Sequence, residues 1–482
     1  MRLRFLSRFA LLAASSLAAI AATPDTRPNI VFILADDLGW SDLAVYGSSF
    51  YETPNLDRLA AQGVRFTQAY AACSVCSPTR ASLLTGRYPA RIGITDWLPG
   101  RPAQPNERLR APALPDRLPA DIPTFARAFQ AAGYRTAFIG KWHLGGQPED
   151  LPDRHGFDVN IGGSGRGSPP AYFSPYRLPN LTDGPPGEHL DDRLTREATD
   201  FIARAVRESQ PFLVYLSHYA VHNPLQGKPD LVQKYAAKLA AAPLAGPAFD
   251  ETGPDGKVRV RQGNPTYAAM VANLDASIGT LLAELDRLGV RENTIVIFTS
   301  DNGGVSTSEG HPTANTPLRT GKGWPYEGGV REPLIASWPG RIAAGSHSDA
   351  VVTSPDLFPT LLELAGLPAV PGGPLDGVSF APVLLGRAAT EADRPIFWHY
   401  PHYSNQRGRP NSAVRAGRWK LIEWLEDGRT ELFDLSADLA EANDVSRAHP
   451  AITAELLEKL RTWRQEVGAR LPTPNPGYRP TP

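Results

Sequence analysis

Four short apolar runs break off abruptly into polar residues: IVFILADD at 30–37, TAFIGKWH at 136–143, FLVYLSHY at 212–219 and TIVIFTSDN at 294–302. Runs of this length, rich in Val, Ile and Phe, fit strands buried on both faces. Between and after them, apolar residues recur at helical spacing over roughly 190–208, 267–288 and 451–467. Thr53 before Pro54, and Ser354 before Pro355, offer a cap followed by a first-turn proline for two more helices. Strands alternating with helices predict an α/β fold, a mostly parallel sheet sandwiched by helices. Ligands on such sheets bind beyond the carboxyl ends of the strands, where this pattern puts Asp36, Asp37, Lys141, His143, His218, Asp301 and Asn302.

The texture changes near residue 385. RWKLIEWL and TELFDL flank Asp427 and Gly428 like the arms of a hairpin, ahead of the last helix. The expected organisation is an α/β domain over 23–384 and a smaller C-terminal α+β domain over 385–482. Pro- and Gly-rich stretches at 99–123, 162–187 and 367–377 read as loops, the first two long enough to be functional. At the start, Arg2, Arg4 and Arg8 precede an apolar stretch from Phe9 to Ala22, the pattern of an export signal over 1–22. The mature protein is therefore expected in the periplasm or outside the cell. That stretch is shorter than the roughly 20 residues of a membrane-spanning helix, and no later segment looks comparably apolar, so no membrane span is expected.

Composition narrows the function classes. The 482 residues carry 49 Lys and Arg against 50 Asp and Glu, which removes the positive field that nonspecific nucleic-acid binding needs. With 47 Pro and 43 Gly the chain stays below the level that suggests disorder. Two cysteines are too few for a disulfide scaffold, so Cys73 and Cys76 need another explanation.

Asp36 and Asp37 end one predicted strand, and Asp301 and Asn302 end another. A shared sheet edge would gather three carboxylates and an amide oxygen. Each carboxylate pair about 4 Å apart would repel by about 4 kcal/mol at an effective dielectric near 20, a cost that a divalent cation removes. An all-oxygen set suits Ca²⁺, or Mg²⁺, better than zinc. Read alone, either pair also fits simple turn or helix capping. In CSPTRASLLTGR, at 76–87, Ser77 can cap a helix, Pro78 suits its first position and Gly86 its end. Cys76 then sits at a positive helix terminus, which lowers a thiol pKa and attracts anions, with Arg80 one turn on to pair with oxyanions. The plainer alternative, a local disulfide or redox pair between Cys73 and Cys76, lacks the compact βαβ setting expected of one.

CSPTRASLLTGR resembles the signature of the type I sulfatases, in which the Cys of CxPxR is oxidised to formylglycine (3-oxoalanine). The similarity runs in order through PNIVFILADDLGWSDL, ETPNLDRLA, GYRTAFIGKWHLG, HGFD, PFLVYLSHYAVHNP, TIVIFTSDNGG, GKGWPYEGGVREPLIASWPG and DGVS, nearly the whole mature chain. The resemblance, to the galactosamine-6-sulfatase and arylsulfatase A branch in particular, implies an alkaline-phosphatase-like α/β fold, a Ca²⁺ site and hydrolysis of sulfate esters. Carried over by position, it implies metal ligands Asp36, Asp37, Asp301 and Asn302, with modified Cys76 beside the ion. Hydrated formylglycine at 76 would attack sulfur and release the alcohol. A base would then take the remaining hydroxyl proton, and sulfate would leave as the aldehyde reforms. The resemblance makes His143 that base, has Arg80 and Lys141 hold the diol, and sets His222 and Lys322 on the sulfate to help protonate the leaving oxygen. The position of a His shortly before Pro selects His222 over His218, which is left facing substrate or behind the site.

Thr79 replaces the commoner Ser of the motif, and Cys73 is an additional thiol able to capture Cys76. Ser164 is the nearest polar residue in the loop after HGFD. Substrate specificity is expected from Asp96, Trp97, Arg166, His311, Arg319, His399 and His402, whose rings and polar groups suit a sugar. The expected partners are a sulfated carbohydrate or aryl sulfate and, during maturation, a formylglycine-generating enzyme. Two other readings remain: a phosphonate or phosphate-ester hydrolase of the same superfamily, and an unmodified pseudoenzyme that binds sulfated glycans.

Overall fold

The apolar run at 30–37 becomes the strand Asn29–Ala35, every residue of which is buried. It lies parallel between Thr294–Ser300 and Phe212–Ser217, and the latter pairs in parallel with Arg135–Gly140. The other three predicted strands are thus its close neighbours. The computed structural model describes residues 27–242, 244–253, 256–370, 372–387 and 394–480, so the expected export segment at 1–22 lies outside the described residues. The complete sheet runs Ser346–Ser348, Val64–Tyr70, Arg331–Ser337, Thr294–Ser300, Asn29–Ala35, Phe212–Ser217, Arg135–Gly140, Val159–Ile161, with Val352–Thr353 also paired to Val64–Tyr70. Only Arg331–Ser337 runs antiparallel to its neighbours, so the expected mostly parallel sheet is found.

Alternate side chains of the central strand enter different cores. Val31, Ile33 and Ala35 face helices Pro54–Ala61, Leu190–Arg207 and Pro265–Arg287. Ile30, Phe32 and Leu34 face Cys76–Thr85, Phe125–Ala131 and Leu357–Leu364. Among the described residues Pro265–Arg287 is long and apolar enough to cross a membrane. Its residues are mostly buried, and it packs against helices of the same core, which accounts for its composition without a bilayer.

The helix starts also differ from expectation. Val75, in extended conformation, precedes the helix Cys76–Thr85, so Cys76 is its first residue and Ser77 lies inside it. The Ser77 hydroxyl donates to the His143 carbonyl at 2.8 Å and accepts from Leu98 N at 3.0 Å, joining two loops to the helix instead of capping it. Gly86 does end the helix, at φ +66°. Thr53 accepts from Ala44 N and donates to Asp57, without capping the helix that Pro54 begins. At 354–356 a 3-10 turn capped by Thr353 precedes the helix, replacing the expected Ser354 cap.

After Ile396 the chain forms a four-stranded antiparallel sheet, Ile396–Tyr400, Asn411–Ala416, Trp419–Trp424 and Thr430–Asp434, with the predicted hairpin as its last two strands. Helix Pro450–Glu466 covers one face, through Leu456, Leu460 and Trp463. The other face packs Ile396, Trp398, Ile422 and Phe433 against Tyr70, Trp324 and Tyr326. Within this second interface Lys420, fully buried, lies 2.9 Å from Glu327 and 3.0 Å from Glu441. Burial alone would raise the Glu327 carboxyl, but Lys420, Arg331 and Arg415 hold it at about 2. Removing one member of a buried ion cluster leaves the others uncompensated, at a cost of about 3–5 kcal/mol. Lys420→Met should therefore lower stability by about that amount, read as a fall in the urea unfolding midpoint. An unfolding free energy within about 0.5 kcal/mol of the native protein's would show that the cluster is not holding this interface.

Candidate active site

The strands at 294–300, 29–35, 212–217 and 135–140 are parallel, so their carboxyl ends open on one edge and deliver Asp301 and Asn302, Asp36 and Asp37, His218 and His222, and Lys141 and His143 to it. Gly140 permits the tight packing there: at φ +104°, any β-carbon would lie 1.8 Å from the Ser217 carbonyl oxygen. Helix Cys76–Thr85 points its first turn at the same edge. The ligand-capable atoms of Asp36, Asp37, Cys76 and His222 lie within 4.8 Å of one another. Asp37 and His143 both adopt left-handed backbone, at φ +60° and +61°, a cost that concentrates where side chains must be aimed.

Arg80 organises the buried charges. Its Nε and Nη2 donate to Asp301 Oδ2 at 2.9 and 2.7 Å, and its Nη1 donates to the Lys141 carbonyl at 2.9 Å and the Ser217 hydroxyl at 2.8 Å. Asp36 is 3.6 Å from Nη2 and accepts from Lys141 Nζ at 2.6 Å. Lys322 Nζ lies 2.7 and 2.8 Å from the two oxygens of Asp37. Three carboxylates are therefore faced by three basic side chains. The repulsion expected among the acids is thus partly offset by Arg80, Lys141 and Lys322 before any cation is added. The compensation is uneven. Burial pushes Asp36 up to about 8 despite Lys141, whereas for Asp37 the opposing pull of Lys322, His222 and Lys141 overcomes burial and holds the carboxyl low.

One group still calls for a cation. Asn302 Nδ2 donates to Asp37 Oδ1 at 2.7 Å and to the Gly303 carbonyl, but its Oδ1 is buried without a hydrogen-bond partner. An orphaned amide oxygen on a side chain bonded to the Asp37 carboxylate suits a hard divalent ion. Asp301 is less available, since Oδ2 serves Arg80 and Oδ1 accepts from Asp37 N at 3.1 Å.

The cysteine chemistry also departs from expectation. Burial raises the Cys76 thiol to about 12, outweighing Lys141 and Lys322, in the direction opposite to the lowering expected at a helix terminus. Cys73 is likewise raised to about 12, and the two thiols are unpaired. Thr79 holds Cys73 by both backbone groups, accepting from its N–H and donating to its carbonyl at 3.1 Å each.

His143 and His222 are both held below the ordinary imidazole range. His143 is held well below the ordinary imidazole range by burial, then Lys141 and Arg80. Its Nε2 bonds the Leu98 carbonyl at 2.8 Å and must be the protonated nitrogen, which leaves Nδ1 buried and unpartnered. His222 is lowered to about 4 by burial and Lys322; its Nδ1–H donates to the Asn223 carbonyl, and Nε2 lies 3.6 Å from Asp37.

A cavity of about 300 Å³ opens on Cys76, His143, His222 and Lys322. Of the residues expected to give specificity, Trp97 lines it. Ser164 lies behind it, its carbonyl accepting from His143 N, while neighbouring Gly165, Gly167 and Ser168 form the wall. Asp96 accepts from the Tyr400 hydroxyl at 2.9 Å and His402 bonds Thr95, both buried beneath Trp97's segment. His218 turns to Asp191 at 3.3 Å, and His399 bonds Ser412 and the Arg470 carbonyl. Arg319 stacks over Tyr326 and donates to the Glu441 carbonyl, and His311 packs on Phe249. None of His218, His311, Arg319, His399 or His402 lines the cavity. Glu309, Asn405 and Gln406 do; they lie in loops without periodicity, where only the Gly- and Asn-rich texture could have drawn notice.

Residues 28–367 match the family described as Sulfatase, and residues 320–466 match one described as N-sulphoglucosamine sulphohydrolase, C-terminal. N-acetylgalactosamine-6-sulfatase of Mus musculus is 35% identical, across 90% of this chain and 79% of the relative. Arylsulfatase A of Homo sapiens is 36% identical, across 90% and 86%. Among solved structures, Ps i-CgsB in complex with k-i-k-neocarrahexaose superposes with a TM-score of 0.75 at 30% identity, covering 91% of this chain and 92% of that one. Phosphonate monoester hydrolase of Agrobacterium radiobacter, at 21% identity and a TM-score of 0.63, shares the alkaline-phosphatase-like fold.

The orphaned amide makes a direct prediction. Chelator-treated protein should gain thermal stability when Ca²⁺ or Mg²⁺ is added, by about 2.7 kcal/mol at a hundredfold excess over the dissociation constant. Asn302→Leu, which keeps the bulk and removes the oxygen, should lose most of that gain. An equal rise in the melting midpoint for both proteins would rule out Asn302 as a ligand.

Proposed function

The chain belongs to the sulfatase family and is a sulfuric ester hydrolase, and on that premise we propose that it is an exported enzyme acting on a sulfated carbohydrate through formylglycine made from Cys76, with Ca²⁺. The observation that carries this reading is Cys76 Sγ, first in its helix and 3.7 Å from Asp36, inside the Asp36, Asp37 and His222 cluster and open to the cavity. The thiol stands where the hydroxyls of an aldehyde hydrate would stand. Export rests on the N-terminal Arg residues and apolar stretch at 1–22. A sugar substrate is supported by relatives named N-acetylgalactosamine-6-sulfatase and by the structural neighbour solved with k-i-k-neocarrahexaose.

When present, the aldehyde hydrate supplies an oxygen nucleophile and the cation polarises the oxygens about sulfur. The protein's own residues supply the rest. Lys322 stays a cation, because Asp37 holds its ammonium against burial, and can donate to a sulfate oxygen at the cavity. Lys141 and Arg80 fix Asp36 and Asp301 around position 76. His143 presents an unprotonated Nδ1 as acceptor for a hydroxyl proton. An anionic ester raises the proton affinity of His222 Nε2, which then carries a proton to the leaving oxygen.

The test is at position 76. In protein purified from an active host, the peptide containing Cys76 should be about 18 Da lighter than its cysteine form. Cys76→Ala should lower aryl-sulfate turnover by about a thousandfold or more with unchanged far-ultraviolet dichroism. An intact thiol in fully active protein would refute the nucleophile. Preference for an aryl phosphate diester over an aryl sulfate would favour the phosphoester reading instead.

A further inference from the structure

The cavity is electrically two-ended. Its buried end holds Cys76, His143 and Lys322, and its exposed end holds Glu309 beside Asn405. Glu309 is fixed in place. Its Oε1 accepts from Gln406 Nε2 and its Oε2 accepts from Asn223 Nδ2 at 3.3 Å, while its backbone sits at φ +51°, a conformation that side-chain-bearing residues rarely adopt. A carboxylate has about four acceptor positions, so the two donors leave it capacity to accept more.

A volume of about 300 Å³ lies at the small end for ligand pockets and suits one sulfated ring with its ester at Lys322. A ring that fills the cavity from Lys322 outward then faces Glu309 with its other substituents. Hydroxyl or amide N–H groups donate to the carboxylate; a second sulfate or a ring carboxylate would face it charge against charge. We infer that Glu309 selects a monosulfated ring that carries no other negative charge, a hexose or N-acetylhexosamine, and rejects disulfated and uronate rings. The inference rests on the sulfatase reading above and adds the device by which this chain chooses among sulfated sugars.

The experiment compares native protein with Glu309→Gln and Glu309→Asp on monosulfated hexoses and N-acetylhexosamines bearing the ester at each ring position. Each is paired with a counterpart carrying a second sulfate or a carboxylate on the same ring, and kcat/KM is read from sulfate release. The native protein should prefer the singly charged member by about tenfold or more, Glu309→Gln should reduce that ratio below about threefold, and Glu309→Asp should keep it. Using the ratio cancels any loss common to all substrates that follows from disturbing Lys322 or Gln406. Equal turnover of the pair, preference for the doubly charged ring, or a ratio unmoved in Glu309→Gln overturns the inference. Hydrolysis of p-nitrophenyl sulfate without turnover of any singly charged ring also overturns it, whereas failure on p-nitrophenyl sulfate and every sugar fails the sulfatase reading itself.

Discussion

One buried guanidinium joins the four strand ends on which the site is built. Arg80 grips Asp301, the Lys141 carbonyl and Ser217, and lies beside Asp36, so it touches the ends of the strands at 294–300, 135–140, 212–217 and 29–35 together. A lysine, with a compact charge on a flexible stem, could not span these partners; the planar fork of arginine can. Cys76 opens the same helix one turn earlier, so the contacts that seat Arg80 also seat Cys76 above the strand ends.

The smaller C-terminal sheet takes part in the cavity as well. The loop between strands 396–400 and 411–416 sends Asn405 and Gln406 to the wall. The Gln406 carbonyl accepts from Trp324 Nε1 at 2.8 Å and from the Thr307 hydroxyl at 3.2 Å. That loop is therefore pinned to the two segments that carry Lys322 and Glu309. The buried Lys420 cluster holds the same interface farther from the cavity.

Much of this was legible in the sequence, for a physical reason. Strands buried on both faces must be continuously apolar, so the polar residues that end them stand out, and those residues are Asp36, Lys141, His143, Asp301 and Asn302. What could not be read depends on neighbours distant in the chain. Neutralisation of Asp37 by Lys322 spans 285 positions, and the raised Cys76 thiol comes from burial by surrounding elements rather than from its own helix. His218, His311 and Arg319 had suitable chemistry for a sugar site, but packing turned them toward Asp191, Phe249 and Tyr326. Glu309 and Gln406 lie on irregular loops, where no periodic pattern reports which way a side chain faces.

The Cys76 side chain is 2% exposed, and every residue of its helix is buried. A small molecule can reach that sulfur through the cavity, but another protein cannot close around the peptide that bears it. Any macromolecular catalyst that converts this side chain, as proposed above, must therefore meet the chain before it folds. Under that proposal accessibility sets the order: chemistry first, folding second, with no opportunity for repair afterwards.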